Sequence, residues 1–134
     1  MRLAIFDLDG TLTDTNAVDE ECFLEAASAE LGLTLNPDWG SYQHCTDTAI
    51  AREALAGFFG RPGSDEEIDR WRERFFALLR ARLAEDPSRF AAIPGAAALL
   101  SRLPGEGWHL CIATGGWGSS AEIKRRAAGL PKTV

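Results

Sequence analysis

The chain is 134 residues long, 46% apolar and 25% charged, a balance that excludes a disordered tail and is ordinary for a folded domain. Fourteen Lys and Arg against 20 Asp and Glu leave a formal charge of −6, the wrong sign for a surface that neutralises a phosphate backbone, so no nucleic-acid partner is expected. No apolar run approaches the roughly 20 residues that span a bilayer, and Asp7 and Asp9 stand where a signal peptide needs apolar residues, so the expected setting is cytoplasmic, with no membrane partner.

Residues 2 to 6, Arg-Leu-Ala-Ile-Phe, form a short apolar run halted by Asp-Leu-Asp-Gly, which predicts a buried strand ending near Asp7. Asn16, three residues before Asp19, opens a helix with Val18, Cys22, Phe23, Ala26, Ala27 and Leu31 at helical spacing and Gly32 as its stop. From Gly32 to Thr46 no period holds, and the stretch reads as a loop carrying Trp39 and Tyr42. Asp47 or Thr48 is placed to cap a second helix that ends at Gly60. Ser64 with Glu67 forms a capping box for the longest helix, whose stripe of Ile68, Trp71, Phe75, Leu78, Leu79 and Leu83 runs until Pro87. Its Arg70, Arg74, Arg80 and Arg82 read as a solvated face.

Ile93-Pro94-Gly95 opens a short helix through Leu103, ended by Pro104-Gly105-Glu106-Gly107. Trp108 to Ala113 is then mostly apolar and fits a strand buried on both faces of a parallel sheet. Ser119 with Glu122 predicts a capping box for a last helix reaching about Ala128, with Gly129 as its stop. The outline is an α/β fold: a Rossmann-like core of residues 1–14 and 91–134, incomplete at its C-terminus, interrupted by an all-helical cap over 15–90. Cys22, Cys45 and Cys111 are odd in number and in no CxxC pair, which suggests neither a disulfide framework nor a zinc site.

Ligands of open parallel sheets bind beyond the carboxyl ends of the strands, so Asp7, Asp9 and Thr114 are expected at one crevice. Strand side chains alternate and the chain turns at Gly10, so one carboxylate can face a substrate while the other sits beside it. Such a pair divides labour: one attacks phosphorus to form an aspartyl-phosphate, the other protonates the leaving oxygen and later activates water. A divalent cation would offset the charge, and Mg²⁺, which retains waters, could be partly held by Asp7 and a backbone carbonyl near Asp9. Thr114, the Gly115 and Gly116 amides and the start of the last helix would form an anion pocket opposite.

Ala-Ile-Phe-Asp-Leu-Asp-Gly-Thr-Leu-Thr-Asp-Thr, residues 4 to 15, resembles the first motif of the haloacid-dehalogenase-like hydrolases, and Ile112-Ala113-Thr114-Gly115-Gly116 resembles their second. The resemblance implies Asp7 as nucleophile, Asp9 as acid/base, both at the Mg²⁺ site, Thr11 as a positioning residue, and Thr114 as the phosphate-binding hydroxyl. It implies a Mg²⁺-dependent phosphatase of a small phosphorylated metabolite with the helical cap of the phosphoglycolate-phosphatase-like branch. The linkers near Asp14 and Pro94 would be its hinges, and His44-Cys45-Thr46-Asp47-Thr48 would be either a specificity loop or a simple helix cap. Dehalogenating members carry an aromatic residue where this chain keeps Asp9, which favours phosphate chemistry. A phosphomutase uses the same nucleophile and stays open.

The family's third motif supplies a lysine, for which only Lys124 and Lys132 stand after Thr114, and its fourth supplies acids for the metal, of which only Glu122 is present. The expected reading is a chain cut short before those motifs, with Lys-Thr-Val at 132–134 beginning the next strand. An impaired phosphate-binding module and a phospho-accepting receiver domain are the rivals, the second opposed by the helical insert after the first strand. Trp117 is the better aromatic candidate for touching substrate, ahead of Trp39; His109 and Cys111 read as sheet residues. A homo-oligomer is left open.

Overall fold

The structure is a computed structural model and describes residues 1–132. Its elements run β1 (Arg2–Phe6), α1 (Asn16–Leu31), α2 (Asp47–Phe59), α3 (Asp65–Glu85), α4 (Ala96–Arg102), β2 (Trp108–Ile112) and α5 (Gly118–Ala127), with 3-10 turns at Trp39–Ser41, Pro87–Phe90 and Leu103–Glu106. β1 and β2 pair in parallel, Arg2 opposite Trp108 through Phe6 opposite Ile112, and the Ala113 amide extends the ladder to the Phe6 carbonyl at 2.8 Å. That register sets Asp7 and Thr114 side by side at the same end of the sheet.

Two apolar clusters form. The larger joins Cys22, Phe23 and Ala26 of α1 to Ile50 and Leu55 of α2 and to Trp71, Phe75 and Leu79 of α3. Phe90 and Trp117 belong to the same cluster, so the helical block packs onto the start of α5. Trp71 is fully buried, and its indole N–H donates to the Phe23 carbonyl at 3.1 Å, which satisfies its only polar atom. The smaller cluster, Leu8, Leu12, Ala96, Leu100 and Leu130, backs one face of the sheet through Phe6, Leu110 and Ile112. The architecture is an incomplete Rossmann-like α/β core with a helical cap.

The strands depart from the expected burial: Leu3 and Ile5 are 50% and 61% exposed and His109 is exposed. Their apolar character suits a two-sided covering, yet among the described residues only one face of the two-stranded sheet is covered. Lys132 is exposed and borders that strand pair with Leu3 and His109, away from the crevice; the remainder of the expected Lys-Thr-Val strand, 133–134, lies outside the described residues. No helix of the described residues is long and apolar enough to cross a membrane.

The first helix opens at Asn16 as read, whereas the starts of α2 and α5 differ from the sequence reading. α1 starts after Thr15, whose hydroxyl makes no cap and bonds Asp9 instead. α2 is capped by Thr46, which accepts from the Ala49 amide at 3.3 Å and leaves the Asp47 carboxylate free for another contact. α5 starts after Trp117 with no side-chain cap; Ser120 bonds the Trp117 carbonyl and Glu122 pairs with Arg125. The α3 capping box forms as expected, Glu67 N to Ser64 Oγ at 3.1 Å and Ser64 N to Glu67 Oε1 at 2.8 Å. Replacing Ser64 by Ala should lower unfolding free energy by about 1 kcal/mol in urea titration; an unchanged midpoint would make the box idle.

The arginine face of α3 is more than a solvated surface. Arg74 bonds Glu30 and Arg82 bonds Glu25, each at 2.7 Å, so a charged seam runs beside the apolar contact between α1 and α3. The two connections between core and cap also lie together: Asp14 N donates to the Ala91 carbonyl and Ile93 N to that of Leu12, both at 2.9 Å.

Candidate functional site

Asp7 is the first residue beyond β1, exposed, with the Thr11 hydroxyl donating to its Oδ2 at 3.1 Å and, among the described residues, no hydrogen bond to Oδ1. The turn that follows needs Gly10: its φ is +79°, and a Cβ there would stand 2.3 Å from Asn16 Nδ2. Four amide bonds stitch this turn, Thr11, Leu12 and Thr13 onto the Leu8 carbonyl and Gly10 onto that of Thr13. The turn holds Asp7 and Asp9 at the mouth of one crevice.

Asp9 is half-buried and differently engaged. Lys124 Nζ, on α5, lies 2.7 Å from its Oδ1, and the Thr15 hydroxyl donates to the same oxygen at 2.5 Å. Thr15 in turn accepts from Thr13 at 2.7 Å, so both fully buried threonines are spent orienting this carboxylate. Lys124 also bonds Asp19 of α1, and its side chain is fully buried. Burial works against the ammonium, but the Asp19 and Asp9 charges outweigh it and hold its pKa above the ordinary lysine value. Lys124 therefore stands charged behind the crevice wall, while Lys132 points elsewhere.

The second strand delivers the rest. Thr114 Oγ1 accepts from the Gly116 amide at 3.1 Å. Gly115 lies so close to the segment before α2 that a Cβ would sit 2.6 Å from the Cys45 carbonyl oxygen. The Asp47 amide donates to the Gly115 carbonyl at 2.9 Å, the Trp117 amide donates to Asp47 Oδ2 at 3.1 Å, and the Trp117 indole donates to Thr48 Oγ1 at 2.8 Å. Cap and core are clasped at that point.

The resulting crevice, about 320 Å³, is walled by Asp7, Asp9, Asn16, Asp19, Glu20, Phe23, Trp39, Cys45, Asp47, Ile50, Thr114, Gly115 and Gly116. Asp7, Asp9, Thr114 and both glycines converge as the spacing predicts. Thr11 acts one step back, through Asp7, and Lys124 through Asp9. Trp39 lines the wall, its indole bonded to Glu20 at 2.9 Å, whereas Trp117 is buried in the core, so the sequence preference between the two is reversed. Asp19 was legible only as a residue of the first helical turn, whereas Asp47 belongs to the segment read as either a specificity loop or a helix cap, and it stands both at the start of α2 and on the crevice wall.

Burial pushes the Asp47 carboxyl up to about 7, helped by Asp19 and opposed by the Trp117 amide and Lys124. Its folded pKa exceeds the unfolded value of 3.8, so the folded chain keeps a proton that the unfolded chain has released. This group's contribution to stability therefore falls as pH rises between those two values, by at most about 1.4 kcal/mol per pH unit. Asp47→Asn removes that slope: the difference between variant and wild-type Tm should move in the variant's favour from pH 4 to pH 7, and a constant difference would refute the assignment.

Magnesium fits the donors only in part. Among the described residues, Asp7 Oδ1 and the Asp9 carbonyl carry no hydrogen bond, which suits an ion that keeps most of its waters. The Asp9 carboxylate is already held by Lys124 and Thr15. No group of three or more His, Cys, Asp or Glu is arranged to hold a metal among the described residues.

A family model described as haloacid dehalogenase-like hydrolase matches residues 4–134. Among solved structures, a hydrolase from Pseudomonas syringae is 30% identical with a TM-score of 0.71, over 97% of this chain and 57% of that one. A mutant of CbbY from Rhodobacter sphaeroides in complex with xylulose-(1,5)bisphosphate is 25% identical with a TM-score of 0.57, over 95% and 56%. A predicted phosphoglycolate phosphatase from Haemophilus somnus shares the fold at 16% identity and a TM-score of 0.62, over 96% and 57%. The chain thus spans a little over half the length of each. No curated protein matches it.

Proposed function

Since the chain belongs to the haloacid dehalogenase-like hydrolase family, we propose that its crevice hydrolyses a small phosphomonoester through an aspartyl-phosphate on Asp7. The observation that carries this reading is the convergence of Asp7, Asp9 and Thr114 on one crevice, with Asp7 exposed and its Oδ1 unengaged among the described residues. Residues 1–14 and 91–134 supply the catalytic core and 15–90 the cap.

In this reading the Asp7 carboxylate attacks phosphorus, the P–O bond to the leaving group breaks, and the leaving oxygen takes a proton from Asp9, which enters this step protonated on Oδ2, the oxygen that neither Lys124 nor Thr15 holds. Asp9 then removes a proton from the water that attacks the phosphoryl-aspartate, which restores the Asp7 carboxylate. The Thr114 hydroxyl and the backbone amides beside it orient the phosphoryl oxygens. Lys124 lowers the cost of the carboxylates gathered there and fixes Asp9, which Thr15 holds from the other side. Mg²⁺ held by Asp7 and the Asp9 carbonyl would offset phosphate charge. The expected substrate is a small phosphorylated metabolite in a cytoplasmic setting.

Hydrolysis of 4-nitrophenyl phosphate by the full chain with Mg²⁺, measured beside Asp7→Asn, tests the reading; equal rates overturn it. One observation favours a second reading, a phosphate-binding module without turnover: the Asp9 carboxylate is already ion-paired with Lys124. Phosphate binding with no release of nitrophenol would support that second reading.

A further inference from the structure

The start of α2 carries a carboxyl that helix capping does not require. Thr46 already caps the helix, and Asp47, the first helical residue, sends Oδ2 to the Trp117 amide. The Asp47 amide, the Thr48 hydroxyl and the close Cys45–Gly115 approach clasp the same two segments. The carboxyl is thereby fixed beside the Thr114 loop: from the position a Gly116 Cβ would take, Thr114 Oγ1 is 3.4 Å away and Asp47 Oδ2 3.6 Å. Oδ1 has no protein hydrogen bond among the described residues, and Asp47 lines the crevice.

Resting on the reading of that crevice as a phosphate site, we propose that Asp47 is a phosphate-contacting residue contributed by the cap, donating its Oδ1 hydrogen to a phosphate oxygen so that the anion binds together with a proton. The surroundings favour this. Among the described residues, the charged and titratable groups around Asp47 are Asp19 and Glu20 from α1, Asp7 and Asp9 from the turn after β1, Cys45 from the segment before α2, and Lys124 from α5. Lys124 is already divided between Asp9 and Asp19. An ionised Asp47 would add another negative charge to that wall and repel a dianion, whereas a neutral carboxyl presents a donor. Burial and the Asp19 charge place its titration at about 7, where the two forms exchange.

Sulfate is the probe, a tetrahedral dianion that does not titrate near neutrality. Its binding to the full chain at fixed Mg²⁺ is followed by tryptophan fluorescence from pH 6 to 8.5. Wild-type affinity should fall up to tenfold per pH unit above 7, while Asp47→Asn, which keeps an acceptor for the Trp117 amide, should show a nearly flat profile. Thr48→Val removes the indole bond but leaves the carboxyl, and should retain the wild-type slope. Equal profiles for wild type and Asp47→Asn, a flat profile for Thr48→Val, or no sulfate binding by the wild type would each overturn the inference. Far-UV circular dichroism of each variant establishes that it is folded. Nitrophenyl phosphate turnover measured in parallel separates the two readings. A sloped profile without turnover leaves this inference standing and removes the phosphatase, whereas Asp7-dependent turnover with equal profiles removes only this inference.

Discussion

Asp7→Asn should abolish hydrolysis of 4-nitrophenyl phosphate, lowering kcat by on the order of 10⁴ or more, the scale seen when a covalent nucleophile is removed, while leaving the fold intact. The separation between these two effects is what makes the variant informative. Asp7 is exposed, and the one hydrogen bond its carboxylate receives among the described residues comes from the Thr11 hydroxyl, which an asparagine carbonyl accepts equally well. A change of within about 0.5 kcal/mol in unfolding free energy is expected for such a site. The amide oxygen is a poor nucleophile towards phosphorus and carries no charge for a cation. A large fall in rate with an unchanged urea midpoint would locate the chemistry at Asp7, whereas an unchanged rate would remove the aspartyl-phosphate from the account.

The second large effect is expected on stability. Lys124→Met should cost about 3–5 kcal/mol, because it leaves two gathered carboxylates, Asp9 and Asp19, without their shared ammonium. Methionine fills comparable space, so the loss is electrostatic rather than a cavity. The sign of the pH dependence identifies it. Without Lys124 the Asp19 carboxyl, which burial already holds above its ordinary value, is pushed higher still, and the variant should lose stability as pH rises from about 4 to 7, measured as the urea midpoint at each pH. Asp19→Asn in the same chain should restore part of the loss by removing one of the two unpaired charges, a coupling that a double-mutant cycle reads directly. If Lys124→Met is equally destabilising at pH 4 and pH 7, or the second substitution restores nothing, the buried triad is not what Lys124 serves.

Asp47 links the cap to this same electrostatic group. Its expected stability slope and its effect on anion binding have one origin, a carboxyl desolvated beside Asp19 and clasped to Trp117. Movement of the cap away from the core would have to break the Asp47 and Thr48 contacts with the Thr114 loop, so the cap segment and that loop respond to each other through named hydrogen bonds.

Several features were legible from local order. Five apolar residues followed by Asp-Leu-Asp-Gly announce a strand and a turn, and the capping box at Ser64 and the left-handed Gly32 and Gly60 place helix ends where the structure has them. Asp7, Asp9 and Thr114 could be placed together because two parallel strands must present their carboxyl ends on one side. By contrast, the starts of α2 and α5 misled: Thr46 rather than Asp47 or Thr48 caps α2 while Asp47 serves the distant Trp117 amide, and α5 begins at Gly118 with no side-chain cap. Trp117 and Trp39 exchanged roles because one packs against Phe23 and Phe75 while the other stays half-exposed beside Glu20.

By itself, the order of residues determined the elements and the candidate reacting groups, because helical period, turn chemistry and the Asp-Leu-Asp-Gly-Thr loop are decided within a few neighbouring residues. Only the tertiary structure decided which charges share a site: Lys124 meets Asp19 across 105 positions and Trp117 meets Asp47 across 70. Such encounters follow from how α1, α2 and α5 pack around one apolar cluster, and Coulomb forces between their side chains act only once that packing has brought them within a few ångströms and removed the water between them.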